Sequence, residues 1–542
     1  MVKRVYRTIT RSINGLQEAA FWLAVFGTLS LLLGFIRDRI LAHFFGAGQE
    51  LDVYYAAFKI PDLIFVTAGS LVSISVLVPL FAKKETEGEK HLKNATDSIF
   101  TVFSFLIVIC CIAAWFLIPY LVPFAFKGMS IAAQSQTIYL SRILLLSPLL
   151  LGFSNFFGSI VQYEKRFVLY SLSPLLYNLG IIAGLVFGVQ SYGIIAAVFG
   201  VCLGAFLHLF LQAAFTLFSA RAPRLTLQLK WRDVWDTARL SVPRTLALSI
   251  ASFVGLFFAA LSSRIGEGAI AIFNLSFNLQ SIPLSLIGVS FSLSAFPALA
   301  FSFAKKNLSE VVLYINNGLR QIIFWVLPIT SLIIVLRAHI VRVILGSGVF
   351  DWSDTRLTSA ALSLFVISAV FQSIQLFLSR SHYALGKTKW PLLANLLGGA
   401  LSVFMALLFI KNWSGWHYLF DFVADALNVS DLSNIILSLP FAFSLGSILS
   451  ALLLFLALGK DLIKEIWSRM KTTIFQSLLG ALIAGAGTYF TLSFTGSIFN
   501  LETFFGVLGH GLLSGVAGTL LWAVSLRFMG NKEIKTISND KY

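Results

Sequence analysis

The chain has 542 residues, of which 58% are hydrophobic and 12% charged, with 52 Phe and a formal net charge of +16. A soluble protein of this size carries roughly a quarter charged residues, so a water-exposed globule is excluded. Apolar runs of about 18 residues or more recur along the chain, each long enough to cross a hydrocarbon core as a helix, while the alternating ten-residue pattern of a membrane barrel is absent.

The fold class is therefore an all-α polytopic membrane protein with about fourteen transmembrane helices. The start, MVKRVYRTITRSINGLQEAAFWLAVFGTLSLLLGFI, has a basic leader before its first apolar run. That run exceeds the 7–15-residue core of a signal peptide and leads directly into a second span, so it reads as a retained first helix. Spans are expected near 19–36, 55–82, 98–124, 134–160, 167–189, 193–219, 241–262, 269–303, 313–336, 357–379, 390–410, 433–459, 474–495 and 503–527.

Between the first two spans the chain breaks into Arg37-Asp38-Arg39, turns at Gly46-Ala47-Gly48, and re-enters an apolar run carrying Asp52, Lys59, Pro61 and Asp62. Charge at the rim or depth of a membrane helix is expensive and usually faces a bundle interior or a wet cavity. Arg142 falls in the outer third of span four, at a depth similar to Arg37 and Lys59 by helix rise. Three cations at matching depth point to a basic pocket for an anionic substrate. The plainer readings are an interfacial anchor for Arg37, and for Lys59 a local pair with Asp62 or snorkelling. In the second half, Asn274, Asn278, Ser281 and Ser285 mark one polar face of span eight, and Gln372, Gln375 and Ser379 one of span ten. Such faces either bond between helices or line a wet cavity.

An even span count puts both termini on one side. Lys and Arg concentrate at the termini and in the even-numbered loops, including Lys83-Lys84, the 221–239 segment, Lys305-Lys306 and Lys460–Lys471. The positive-inside rule then makes both termini cytoplasmic and the Arg37–Leu51 turn external. No basic face interleaved with aromatics suggests nucleic acid.

Internal echoes suggest duplication. KIP at 59–61 aligns with SIP at 281–283, and each proline precedes a Lys-Lys pair at the same distance. QYEKRFVLYSLSPLLYNLG from Gln162 echoes HYALGKTKWPLLANLLG from His382. The expected organisation is two pseudo-symmetric six-helix lobes, 1–220 and 241–460, joined by a basic cytoplasmic linker at 221–240. A C-terminal two-helix hairpin at 472–528 and a cytoplasmic tail at 529–542 follow. Pro61, Pro79, Pro148, Pro174, Pro283 and Pro297 lie inside spans, where they kink or interrupt a helix. Gly180, Gly184 and Gly188 on span five, with Gly200 and Gly204 on span six, form small-residue ridges for close packing.

Signals for catalysis are missing. The seven histidines form no HExxH or His-x-x-His pair, no P-loop is present, and no Ser, His and carboxylate stand together as a triad. No cofactor or metal is expected. Cys110, Cys111 and Cys202 lie in apolar runs and read as small buried residues.

GFIRDRILAHFFGAGQELDVYYAAFKIP resembles the opening signature of the MurJ/MviN family, the lipid II flippases of bacterial cell-wall synthesis within the multidrug and polysaccharide-lipid exporter superfamily. The residues matching the family's pattern are Arg37, Asp38, Gly46-Ala47-Gly48, Asp52, Lys59 and Pro61. The resemblance implies two lobes around a cationic cavity and alternating access driven by membrane potential or an ion gradient. It also implies a groove in the last two helices for an undecaprenyl tail. Leu31, Phe65 and Asn278 stand where the family usually carries arginine. The expected function is a flippase moving a polyprenyl-pyrophosphate-linked precursor from the inner to the outer leaflet of the bacterial inner membrane, alone or with other cell-wall synthesis proteins. The alternatives are an exporter of another polyprenyl-linked glycan or amphiphile, or a transport-dead homologue serving as a scaffold.

Overall fold

The computed structural model describes residues 12, 13, 15–219, 221–429 and 434–534. Among them there is no strand, and fourteen helices are long and apolar enough to cross a membrane. In hydrocarbon every backbone N–H and C=O must be satisfied within the protein, and a helix does so inside one segment. The spans, one to fourteen, are Phe21–Phe45, Gln49–Glu87, Glu89–Ala125, Ile131–Tyr163, Phe167–Tyr192, Ile194–Thr216, Thr245–Ser262, Ala269–Ala304, Leu308–Ile344, Trp352–Ala384, Lys389–Lys411, Asn434–Leu456, Lys460–Thr495 and Phe504–Phe528.

Most helices run past the ends expected from the sequence, as where span nine reaches Ile344 and span thirteen starts at Lys460, and three differences matter most. Span one does not end at residue 36 but stays helical through Arg37-Asp38-Arg39 to Phe45, because Arg37 and Asp38 neutralise each other on the helix. The helix of span seven begins at Trp231, inside the expected linker, and runs unbroken to Ser262. The loop expected between spans eleven and twelve contains a further helix, Trp413–Ala426, which buries Phe420 and Ala424 and exposes Tyr418 and Phe422. Its 14 residues are too few to register as a span.

The chain forms two compact units, Met1–Ile270 and Ala271–Tyr542. In the first, spans five and six meet backbone to backbone. A Cβ on Gly180 would lie 2.3 Å from the Gly204 Cα, and one on Gly184 2.4 Å from the Gly200 Cα. In the second, spans eleven and twelve repeat the contact, with a Cβ on Gly398 falling 2.6 Å from the Gly446 carbonyl oxygen. Lipid tails are as apolar as leucine, so such helices associate by close approach rather than by the hydrophobic effect.

The paired prolines also repeat. Beyond Pro61, span two passes through a π-helical turn at Phe65–Gly69, and beyond Pro283, span eight passes through one at Leu284–Val289. A helix-interior proline cannot donate to the carbonyl four residues back. For Pro61 that carbonyl belongs to Ala57, and the Ser141 hydroxyl of span four donates to it at 3.1 Å. The interruption is thus built into the packing.

Spans thirteen and fourteen pack on each other and on span nine. Their glycines mark the contacts: Cβ atoms at Gly485, Gly511 and Gly515 would meet Ser331, His339 and Leu336 of span nine.

Candidate functional site

The first polar cluster is built on span one. Arg37 donates from Nε and Nη2 to one oxygen of buried Asp38, at 3.0 and 2.8 Å, and from Nη1 to the Asn178 side-chain oxygen of span five at 3.4 Å. Asn178 in turn donates to the Ser30 hydroxyl at 3.2 Å and to the Ser30 and Pro174 carbonyls at 3.3 Å. Span two contributes Tyr54 and Tyr55, which lie near both Arg37 and Asp38. Tyr177 of span five lies within electrostatic reach of Asp62 and Arg37 and bonds Ser147. Lys59 and Asp62 sit one turn apart and interact with each other, Lys59 half-buried and Asp62 exposed. Arg37 with Asp38 and Lys59 with Asp62 form two charge pairs, and Tyr54 and Tyr177 lie near both Arg37 and Asp62. A guanidinium held by one carboxylate and one amide retains donors for an anion.

Two further candidates have partners of their own. Arg142 donates to the Trp115 carbonyl of span three at 3.3 Å and stacks its guanidinium 5.1 Å from the centre of that indole. Asp52 is buried at the start of span two and accepts the Gly268 backbone N–H at 2.7 Å. The Gln49 N–H, one turn earlier, donates to Glu267 at 3.2 Å. Gly268 has φ +80°, and a Cβ there would lie 1.9 Å from the Ala47 carbonyl oxygen, so the two turns interlock as only glycine permits. In this geometry Asp52 ties the turn before span two to the turn before span eight.

The second unit carries a neutral cluster. Gln372 of span ten donates to the Gln280 side-chain oxygen at 3.1 Å and to the Ser368 hydroxyl at 2.7 Å, and Ser368 donates to the same Gln280 oxygen at 3.4 Å. Gln375 donates to Asn395 of span eleven at 2.6 Å. Asn274 and Asn278 are half-buried on a neighbouring face of span eight. Gln372 thus makes the inter-helix bond that a polar face allows.

Sequence reasoning missed Asn178 and Gln280. Asn178 stands four residues after Pro174, inside the echoed stretch, and its amide was the available signal. Gln280 gave less warning, since it lies well off the stripe formed by Asn274, Asn278, Ser281 and Ser285. No group of three or more metal-ligating side chains lies together among the described residues.

Two compact helical units whose second and eighth spans are interrupted after a proline define a polytopic helical membrane protein. The chain matches the solved structure of lipid II flippase MurJ in an inward closed conformation, with a TM-score of 0.75 at 21% identity over 94% of this chain and 99% of that one. It also matches an inward-facing multidrug resistance MATE transporter of the MOP superfamily, with a TM-score of 0.65 at 15% identity over 82% and 96%. The family model of lipid II flippase MurJ fits residues 41–508, and the chain belongs to that family. Relatives include the probable lipid II flippase MurJ of Rickettsia prowazekii, 25% identical over 72% of this chain and 77% of its own length. Another is the lipid II flippase MurJ of Burkholderia cenocepacia, 23% identical over 87% and 89%. The all-α polytopic reading and the resemblance seen from Gly34 to Pro61 both hold. The family is one of multi-pass inner-membrane transporters, not enzymes.

Proposed function

We propose that this chain flips a polyprenyl-pyrophosphate-linked saccharide of the lipid II type from the inner to the outer leaflet by alternating access. The observation that carries the reading is the family match over residues 41–508, which takes in spans two to thirteen complete. Arg37 binds the anionic headgroup by exchanging part of its hold on Asp38 for phosphate oxygens, which are better matched to a bidentate guanidinium. Lys59 adds a second cation one span away. No covalent bond is made or broken.

Span two and span eight flex where Pro61 and Pro283 interrupt the helix, and the membrane potential or an ion gradient supplies the driving force. The hairpin of spans thirteen and fourteen carries the prenyl tail, and the termini face the cytoplasm. A different polyprenyl-linked glycan is the second reading, favoured by Leu31, Phe65 and Asn278 at positions where the resemblance leads one to expect arginine. The experiment is complementation: cells depleted of their own lipid II flippase should grow and keep their shape when this chain is expressed. Lysis despite normal membrane insertion, together with export of another lipid-linked glycan, would replace the first reading with the second.

A further inference from the structure

The segment joining spans six and seven is held rigidly and yet displays large apolar side chains. Its backbone is tied to span three at three points. Arg224 N–H donates to Asp97 at 2.8 Å, Thr226 N–H to the Thr101 hydroxyl at 3.0 Å, and Lys230 N–H to the Ser98 hydroxyl at 2.9 Å. Lys93 adds a bond to the Ala222 carbonyl, and Arg221 pairs with Glu85 at 2.7 Å. On this fixed frame Leu225, Leu227, Trp231 and Trp235 are 67%, 97%, 65% and 68% exposed.

The start of the span-seven helix is inverted relative to a water-soluble helix. Its buried side is polar: Asp233 pairs with Lys84 at 2.8 Å, Thr237 is buried, and the Ser241 hydroxyl donates to the Leu71 carbonyl at 2.8 Å. Its outward side is Trp231 and Trp235. At helical spacing these continue into exposed Val242, Leu246, Phe253 and Phe257, the stripe that span seven turns away from the protein. Water does not favour such an outside, whereas the boundary between headgroups and acyl chains is where tryptophan concentrates. Arg224, Lys230, Arg232 and Arg239 are exposed along the same stretch, in which Asp236 is the one exposed carboxylate between Arg221 and Arg239.

We propose that this linker is a membrane-surface anchor that binds anionic phospholipid headgroups through those four cations and seats its apolar side chains at the acyl boundary. Basic residues near an apolar anchor are attracted to an anionic leaflet, and each adds to the binding. Because the anchor is bonded to span three, the leaflet holds the first unit at that point.

The test uses full-length protein reconstituted in phosphatidylcholine vesicles with and without phosphatidylglycerol. Emission assigned to the two indoles, taken as the difference between the native chain and W231F/W235F, should be strongly quenched by phosphatidylcholine brominated high on its chains and insensitive to iodide. A dye on Leu227→Cys gives the same reading with the indoles intact. Neutralising each of the four cations to glutamine should weaken phosphatidylglycerol binding about five-fold, from about 1 kcal/mol per charge. Indole emission untouched by bromine and quenched by iodide would turn this face to water or to a protein partner and overturn the proposal. So would unchanged phosphatidylglycerol binding in the four-fold glutamine variant.

Discussion

Arg37 owes its place in a membrane helix to Asp38, and that dependence can be measured. Removing one partner of a buried ion pair costs about 3–5 kcal/mol because the other charge is left uncompensated. Arg37 is partly exposed, so Asp38→Ala should destabilise by about 3 kcal/mol, read as a lowered Tm of the purified protein. The double variant R37A/D38A should recover most of that loss yet remain inactive in complementation, separating the stabilising role of the pair from its role toward an anion. A double variant as unstable as Asp38→Ala would show that Asp38 acts through its other neighbours. Arg37, Asp38, Lys59 and Asp62 were legible because charge in an apolar run is conspicuous. Asn178 was not, since amides are common between membrane helices and nothing in spacing says which one faces an arginine. The partners of Arg142, a backbone carbonyl and an indole face, leave no pattern in the sequence at all.

Elements were easier to read than their ends. Hydropathy reveals a span wherever about twenty apolar residues run together, but a helix need not stop where the apolar run does. Span one continues through a neutralised ion pair, and the helix of span seven extends back to Trp231 on polar contacts that hydropathy does not weigh. The helix Trp413–Ala426 went unread because amphipathic periodicity in 14 residues is easily taken for a loop. Two substitutions test what the elements do. Pro61→Ala restores an N–H aimed at the Ala57 carbonyl, where it competes with Ser141. The variant should be as stable as the native chain or slightly more so, with slower flipping, since the flexible point is lost; unchanged flipping would remove Pro61 from the moving parts. Gly184→Val drives a Cβ to within 2.4 Å of the Gly200 Cα and 2.7 Å of the Ala196 carbonyl oxygen. Overpacking of this kind costs about 1–3 kcal/mol, and here the obstacle is backbone that cannot rotate away, so the upper end is expected in a Tm measurement.

At the scale of the molecule, the paired prolines and lysines are an echo read in the sequence, and the π-helical turns beyond Pro61 and Pro283 repeat it in the backbone. The purpose of the C-terminal hairpin was harder to read. The resemblance implies a tail groove there, and in the structure Gly485, Gly511 and Gly515 seat the hairpin on span nine while Gly480, Gly487 and Gly518 close it on itself. His510 receives a hydrogen bond from or gives one to His339 at 3.0 Å across the same seam. The glycines are not equivalent. At Gly515 the nearest atom to an added Cβ is the tip of Leu336 at 3.2 Å, which can rotate aside. At Gly518 the Thr488 hydroxyl would stand at 1.9 Å and the Ala484 carbonyl oxygen at 2.7 Å. Gly515→Ala should therefore be nearly neutral in Tm, while Gly518→Ala separates the two helices and lowers it. If the hairpin carries a prenyl tail, the effect of a larger side chain should depend on tail length. Each methylene withdrawn from apolar surroundings costs about 0.8 kcal/mol, so a long chain suffers more than a short one when its surface is disturbed. Gly515→Leu should slow flipping of a long-chain polyprenyl substrate in proteoliposomes and leave a short-chain analogue close to its native rate. Equal slowing of both would reduce the hairpin to a packing element for span nine.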